Sequence, residues 1–235
     1  MMTFKSALQG FRSLMYRSGR VYNFLSNKIY DIKGKYLTIS KLIGKNKYIL
    51  DLACGTGFLT RFLHPSNTYE GWDINQKFLN KLKKDWIRGK SKIKHIIIKQ
   101  KDIFNFYEYP NEKVDVIVLC DILHHINPSH FTLVENAKMH AKKVIICEPI
   151  AVKPKDIKAN TWFIRIFVNI GSFFPEKLYK LIDFLFLDND GVNTYKKRLT
   201  WNYNNKSIKT LYRNMGFERI YEIKDNYIGV WDSNN

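Results

Sequence analysis

The stretch ILDLACGTGFLTRFL, residues 49–63, places one acid, two glycines and a predicted helix start within a few positions of one another. Asp51 lies in an apolar run that predicts a buried strand, and Gly55 and Gly57 follow that run. Glycines directly after a strand let backbone N–H groups approach a ligand closely, and a helix N-terminus attracts negative charge. The stretch therefore predicts a nucleotide-binding loop, although a Gly-x-Gly pair alone is a weak signal.

Three acids indicate which kind of nucleotide the loop suits. Asp51 would repel a pyrophosphate but favour a cationic group, and the third glycine position of the dinucleotide-binding motif is Thr60 here. Asp73 ends the second predicted strand, where a carboxylate accepts hydrogen bonds from ribose hydroxyls. Asp102 follows the third strand, where a carboxylate can accept from the exocyclic amine of adenine. Together they predict an adenosine with a positively charged amino-acid tail.

These motifs resemble those of the class I S-adenosylmethionine (SAM)-dependent methyltransferases. LDLACGTG resembles the family's glycine-rich motif, GWDIN its ribose-binding acid and KDI its adenine contact, while DVIVLCDILHHI and IICEPI resemble its fourth and fifth strands. The resemblance covers roughly residues 36–151 and 207–232. It implies a SAM-dependent methyltransferase with SAM as cofactor, on a sheet whose last strand is antiparallel.

The resemblance also implies the cofactor site residue by residue. The glycine-rich motif would surround the methionine part, the next two strand ends would hold ribose and adenine, and the fourth strand would form the lip of the site. The implied cofactor-binding residues are Asp51, Ala53, Gly55, Gly57, Asp73, Ile74, Asp102, Ile103, Cys120 and Asp121. Each acid alone is more typical of a turn or a helix cap, but three at consecutive strand ends favour binding.

Methyl transfer from a sulfonium needs an aligned acceptor, and a base only if the acceptor carries a proton. The candidate catalytic bases are His124 and His125, just beyond the fourth strand; the alternative is that they only pack or cap. Tyr16 and Tyr22 are weaker candidates to contact the cofactor or the acceptor. No metal site is predicted.

The elements that position these residues form a regular series. From residue 48 to Pro149, β-branched runs alternate with amphipathic helices, which predicts a parallel sheet covered on both faces. The tight link at Asp225–Asn226 predicts that the last strand is antiparallel. The expected fold is α/β: a doubly wound, Rossmann-like, seven-stranded, mostly parallel sheet with N-terminal helices and a helical insertion after strand five.

The 235 residues predict one methyltransferase domain, 1–235, with four parts. Residues 1–47 are a basic helical lid, which opens with one amphipathic helix reaching about Lys28; 48–151 are the cofactor-binding core; 152–206 are an aromatic insertion over the substrate; and 207–235 are a terminal helix and a β-hairpin. A helix is also predicted over FLTRFL, residues 58–63.

Charge and cysteine content suggest partners and location. The formal charge is +18, and residues 1–47 contain ten basic residues and one acid. Such an arm suits the phosphates of nucleic acid or lipid headgroups, although a composition rich in Lys, Asn and Ile throughout is the alternative cause. The three cysteines form no CxxC pair, and no signal peptide or membrane span is recognised, so a cytoplasmic and at most peripherally membrane-bound protein is expected.

The acceptor is the open question. The aromatic insertion and the basic arm favour a small, hydrophobic or lipid-like acceptor reached at an anionic membrane surface. An RNA or tRNA acceptor is the rival; nucleic acid is less favoured because the Asn/Asp-Pro-Pro-aromatic element of base-amine methylation is absent. A non-catalytic binding module is the third alternative, and the intact set of strand-end acids argues against it.

Overall fold

The computed structural model describes residues 12–29, 31–151, 189–192 and 200–233, together with Leu185. The chain divides into two compact units, one of Asp31–Ile150 with Tyr203–Asn235 and one of Met1–Tyr30 with Ala151–Asn202. The first contains every described strand and is called the sheet unit below. It begins at Asp31, not at residue 48, because a helix that the sequence assigned to the lid packs on the sheet. Whether the chain acts as one domain stays a prediction, and most of the insertion at 152–206 lies outside the described residues.

The strands form where apolar, β-branched runs can be buried on both faces of a sheet. They are β1 (Tyr48–Leu52), β2 (Thr68–Asp73), β3 (His95–Gln100), β4 (Val114–Cys120), β5 (Ala141–Pro149), β6 (Arg219–Ile223) and β7 (Asn226–Asp232). The described residues make one seven-stranded sheet in the order β3-β2-β1-β4-β5-β7-β6. Strands β1 to β5 are parallel, and β7 is antiparallel to both β5 and β6. The predicted fold class is confirmed.

The helices of the described residues lie before, between and after these strands. They are α1 (Leu14–Arg17), α2 (Gly19–Ile29), α3 (Ile32–Ile43), α4 (Gln76–Ile87), α5 (Leu123–Ile126), α6 (His130–His140) and α7 (Asn205–Asn214). Side chains of Asp31, Asn75 and Asn204 accept backbone N–H groups at the starts of α3, α4 and α7, as N-caps do. These caps explain why the helices begin where they do.

Helix α3 belongs to the core of the sheet unit. Ile39 and Ile43 of this helix are buried in one hydrophobic cluster with Ile49 of β1. Their spacing, continued back to Ile32, is that of one helical face. Lys35 occupies the same buried face.

Two predicted helices differ in the structure. The single N-terminal helix is two helices in the described residues, because Ser18 is extended and is followed by Gly19, a poor helix former. The predicted helix over 58–63 is only a 3-10 helix, Phe58–Arg61, since Pro65 stops any extension and disfavours helical geometry in the residue before it. The loop after β1 is therefore followed by a short 3-10 helix, and not by the α-helix whose N-terminus was expected to attract negative charge.

Within the ranges given above, no helix is long and apolar enough to cross a membrane.

Candidate active site

The predicted site residues converge because parallel strands present their carboxyl ends at one edge of the sheet. Strands β3, β2, β1, β4 and β5 are consecutive neighbours, and each ends in or is followed by an acid. We call these acids the strand-end carboxylates: Asp102, Asp73, Asp51, Asp121 and Glu148, in their order across the sheet. Four were predicted from the sequence, and Glu148 was not.

The loop after β1 has the left-handed backbone that its glycines allow. Ala53, Gly55 and Gly57 have φ values of 59°, 56° and 71°. An added Cβ on Gly57 would lie 2.2 Å from Cδ1 of Leu82, so this glycine is needed for packing against α4. An added Cβ on Gly55 would meet nothing nearer than Phe78 at 4.0 Å. Of the two, Gly55 is therefore the glycine with space for a ligand beside its backbone.

Asp73 ties this loop to the loop after β2. Its Oδ2 accepts from the Gly55 N–H at 2.9 Å, and its Oδ1 accepts from the Asn75 N–H at 2.7 Å. Each carboxylate oxygen has a further lone pair, which suits a ribose hydroxyl. The neighbouring Ile74 is 42% exposed, as a surface for a flat ring would be.

The predicted adenine contacts follow β3. Asp102 accepts the Phe104 N–H at 2.9 Å through Oδ1 and is exposed. Ile103 is buried, and its carbonyl accepts the Tyr109 hydroxyl at 2.7 Å. The turn is thus fixed by its own hydrogen bonds, and its role towards adenine stays a prediction.

Asp51 is the most buried of the four predicted carboxylates. It is 4% exposed, and its Oδ2 accepts the hydroxyl of Tyr69 at 2.7 Å. Burial raises the pKa of Asp51 to about 7, nearby Asp73 adds to the rise, and the tyrosine bond opposes it. No lysine or arginine of the described residues contributes to this pKa, so a cationic ligand group fits here by charge.

The fourth strand ends in a turn that is fixed from two sides. Asp121, with φ 56°, forms an ion pair with Lys35 of α3. Cys120, predicted at the lip of the site, is buried. At the far end of the turn, Glu148 accepts the backbone N–H groups of Ile122 and Leu123, each at 2.8 Å.

The two histidines have different surroundings. Nδ1 of His124 lies 2.6 Å from Oε2 of Glu148, whose side chain is fully buried. Because a carboxylate accepts, Nδ1 carries the proton and Nε2 the lone pair. His125 is 6% exposed and packs with its ring centroid 4.2 Å from that of His124. The geometry of a base therefore favours His124 over His125.

Three functional candidates escaped the sequence prediction. Glu148 could have been found, since it is an acid at the end of an apolar strand, as Asp51 is. Lys35 could have been found as the one charge in the apolar stripe of α3. Tyr69 offered no signal, because a tyrosine in a buried strand is ordinary. Tyr16 and Tyr22 pack against each other in the second unit, and their predicted contacts stay predictions.

Among the described residues, no group of three or more His, Cys, Asp or Glu side chains is placed to hold a metal ion.

Comparison with known proteins adds the family. Residues 49–143 match the model of a methyltransferase domain family. No curated protein matches the sequence.

Several solved structures share the fold. An O-methyltransferase family protein from Burkholderia thailandensis is 13% identical, with a TM-score of 0.62, over 97% of this chain and 62% of that one. A SAM-dependent methyltransferase from Aquifex aeolicus is 14% identical, with a TM-score of 0.53, over 87% and 90%. The CurJ carbon methyltransferase is 14% identical, with a TM-score of 0.61, over 93% and 59%. This chain thus spans about three fifths of the Burkholderia and CurJ proteins.

The fold is Rossmann-like, and carboxylates at the carboxyl ends of its strands are the arrangement expected of a nucleoside-binding site. The matched domain is more specific: residues 49–143 are similar to a methyltransferase domain, and a SAM-dependent methyltransferase shares the fold. The cofactor fits the residues present, since Gly55 leaves space beside its backbone and Asp51 lacks a cation.

The two loop glycines should differ when each is changed to alanine. Gly57→Ala should lower the free energy of unfolding by about 2 to 4 kcal/mol, because overpacking against Leu82 adds to the cost of left-handed backbone. Gly55→Ala should cost only about 1 to 2 kcal/mol, since its Cβ meets open space. Urea denaturation of the protein without cofactor measures both, and equal losses would contradict the assignment. Gly55→Ala alone should weaken SAM binding.

The affinity for SAM should rise with pH up to about 7. Below that value Asp51 is protonated and neutral, so affinity for the cationic cofactor falls by at most about tenfold per pH unit. Isothermal titration between about pH 5.5 and 7.5 measures this, and Asp51→Asn should bind weakly with a flat profile. Tyr69→Phe, which removes the bond that lowers the pKa, should move the break to higher pH. A wild-type affinity that does not change over this pH range would contradict the assignment of Asp51 as the carboxylate that binds the cationic cofactor.

Proposed function

We propose that this protein transfers the methyl group of SAM to a small-molecule acceptor, hydrophobic or lipid-like, whose reacting atom carries a proton. The observation that carries this proposal is the His124–Glu148 pair at the end of β4, beside the predicted cofactor edge. An ordered histidine with a buried carboxylate behind it is suited to remove a proton, and such a base is needed only for a protonated acceptor.

The residues have separate tasks in this reaction. When bound, SAM supplies an electrophilic methyl group on a sulfonium. Asp51 faces a positive charge of the cofactor, and Asp73 and Asp102 hold its ribose and adenine. Glu148 keeps Nδ1 of His124 protonated and fixes the ring, so that Nε2 can take the acceptor's proton as the new bond forms.

Two neighbours agree with a protonated acceptor without deciding its identity. The Burkholderia protein is described as an O-methyltransferase family protein and CurJ as a carbon methyltransferase. Hydroxyl groups and activated carbons both lose a proton on methylation. We therefore infer a hydroxyl or an acidic carbon as the reacting group.

A hydrophobic acceptor is inferred from the sequence of the insertion. The segment NTWFIRIFVNIGSFFPEKLYKLIDFLFL, 160–187, is crowded with aromatic and aliphatic side chains. Such composition is typical of apolar pockets, and the basic N-terminal arm suits an anionic surface where lipids are found. These segments lie mostly outside the described residues, so this part of the proposal depends on composition.

An RNA acceptor remains the second candidate, because the sheet unit has a strongly basic segment at 83–94. Its exposed basic residues are Lys83, Lys84, Arg88, Lys90, Lys92 and Lys94. Helix α4 follows β2, so it begins near the carboxyl ends of the strands, where the cofactor is predicted to bind. It ends at Ile87, and the chain then leads to the start of β3 at the opposite ends of the strands. The basic segment therefore lies at the opposite edge of the sheet. Phosphates bound there would not bring a base to His124, which favours the small-molecule acceptor.

Labelled SAM tests the acceptor class directly. The purified protein is incubated with lipid extract, small-molecule extract and RNA in parallel, and label transfer is measured in each. We expect transfer into an organic-soluble product. Transfer into RNA alone would overturn the proposed acceptor, and no SAM binding by isothermal titration would overturn the enzyme. Flotation with anionic vesicles then measures binding to lipid, and elution from heparin measures binding to a nucleic-acid-like polyanion. Comparing the two shows which polyanion the basic surfaces bind more tightly.

His124→Gln and Glu148→Gln should each lower kcat, by about 10²- to 10⁴-fold for His124 and less for Glu148, because general-base catalysis is lost or misaligned. The matched variant His125→Gln should leave kcat within about threefold. SAM affinity should stay close to that of the wild type in His124→Gln. Equal losses in both histidine variants would show that neither ring acts as the base.

A further inference from the structure

Lys35 is a charged residue where the fold calls for an apolar one. It shares the buried face of α3 with Ile32, Ile39 and Ile43, and its side chain is 2% exposed. A buried ammonium is costly unless it is paired. Burial on its own lowers the pKa of Lys35, but the charge and hydrogen bond of Asp121, together with nearby Cys120 and Cys147, hold the pKa well above its usual value. The lysine is therefore charged at every physiological pH.

Its partner Asp121 is the more open end of the pair. The carboxylate is 28% exposed, and the residue has the left-handed φ of 56° directly after β4. Its N–H donates to the Cys147 carbonyl at 2.9 Å, which ties the turn to β5. The pair thus has a cation inside the unit and a carboxylate facing outwards at the cofactor edge.

Stability alone does not explain this pair. Replacing a buried ion pair with apolar residues of similar volume is often neutral or stabilising, so a packing role would be served as well by Met or Leu at position 35. A role in fixing the carboxylate explains why the charge is retained.

The order of the strands indicates what Asp121 faces. Across β3, β2, β1, β4 and β5, the strand-end residues run from the predicted adenine and ribose contacts, through Asp51, to Asp121 and then to Glu148 with His124. Neighbouring strands are about 4.8 Å apart. The reacting methyl must lie between the nucleoside end and the base, and Asp51 and Asp121 are the strand-end carboxylates on that path, with Asp121 the nearer to the base.

We propose that Lys35 is a positioning residue that holds the Asp121 carboxylate beside the sulfonium of SAM, and so helps the site to prefer SAM over its neutral product S-adenosylhomocysteine (SAH). This inference rests on the proposed function. The sulfonium charge disappears during transfer, so a carboxylate beside it stabilises the bound substrate more than the transition state or the product. Loss of the pair should therefore raise the KM for SAM.

The test compares SAM and SAH binding to Lys35→Met, Asp121→Asn and the double variant by isothermal titration. Each single variant should bind SAM about tenfold more weakly, the loss expected for one charge-assisted contact, while SAH affinity changes by less than about threefold. Because Lys35 acts through Asp121, the double variant should be no worse than either single one.

The outcomes separate this inference from the proposed function. If the wild-type protein binds no SAM, the proposed function fails. If the wild type binds SAM but Lys35→Met weakens SAM and SAH by the same factor, or neither, the positioning role is wrong. Unfolding by urea serves as the folding control, because Asp121→Asn leaves the buried Lys35 ammonium without its partner. The double variant removes both charges and tests the same contact if either single variant does not fold.

Discussion

The active site depends on one constraint, the five carboxylates that a parallel sheet gathers at a single edge, where neighbouring strands are about 4.8 Å apart. The charge of Asp73 is one of the causes that raise the pKa of buried Asp51. Four of the five have compensating donors: backbone N–H groups for Asp73 and Asp102, Lys35 for Asp121, and backbone N–H groups with His124 for Glu148. Among the described residues, Asp51 has only the Tyr69 hydroxyl as a hydrogen-bond donor. The edge is thus balanced except at the point where a cation is to bind.

The turn after β4 shows how compensation also sets geometry. Lys35 fixes its beginning at Asp121, and Glu148 fixes its end at Ile122, Leu123 and His124. These anchors come from different elements, α3 and β5, which both pack on the sheet core. The candidate base is therefore positioned by the same core that buries the strands, and not by the turn alone.

Most of the sheet could be predicted from the sequence because burial on both faces leaves a strong local pattern. The run VDVIVLC became β4 with the predicted bounds, and the tight link at Asp225 predicted the antiparallel β7. The failures have local causes that a pattern does not show, such as the extended Ser18 and the short 3-10 helix before Pro65.

The site was predictable where function follows from strand ends and not where it follows from contacts distant in the chain. Asp51, Asp73 and Asp102 were found because each follows an apolar run. Lys35 was counted among the charges of a basic arm, although it is buried 86 residues away from its partner Asp121. Only the packing of α3 on the sheet turns that surface charge into part of the site.

The protein's charge raises a further physical question, since the chain has a formal charge of +18 and the proposed cofactor is itself cationic. Screening resolves it, because charges further away than about 8 Å contribute little at physiological ionic strength. The cofactor therefore meets the strand-end carboxylates, whereas the basic segment at 83–94 lies at the other edge of the sheet. The basic segment can therefore bind a polyanionic partner without weakening cofactor binding at the strand-end carboxylates. Substitutions that change one of these two binding properties should leave the other unchanged.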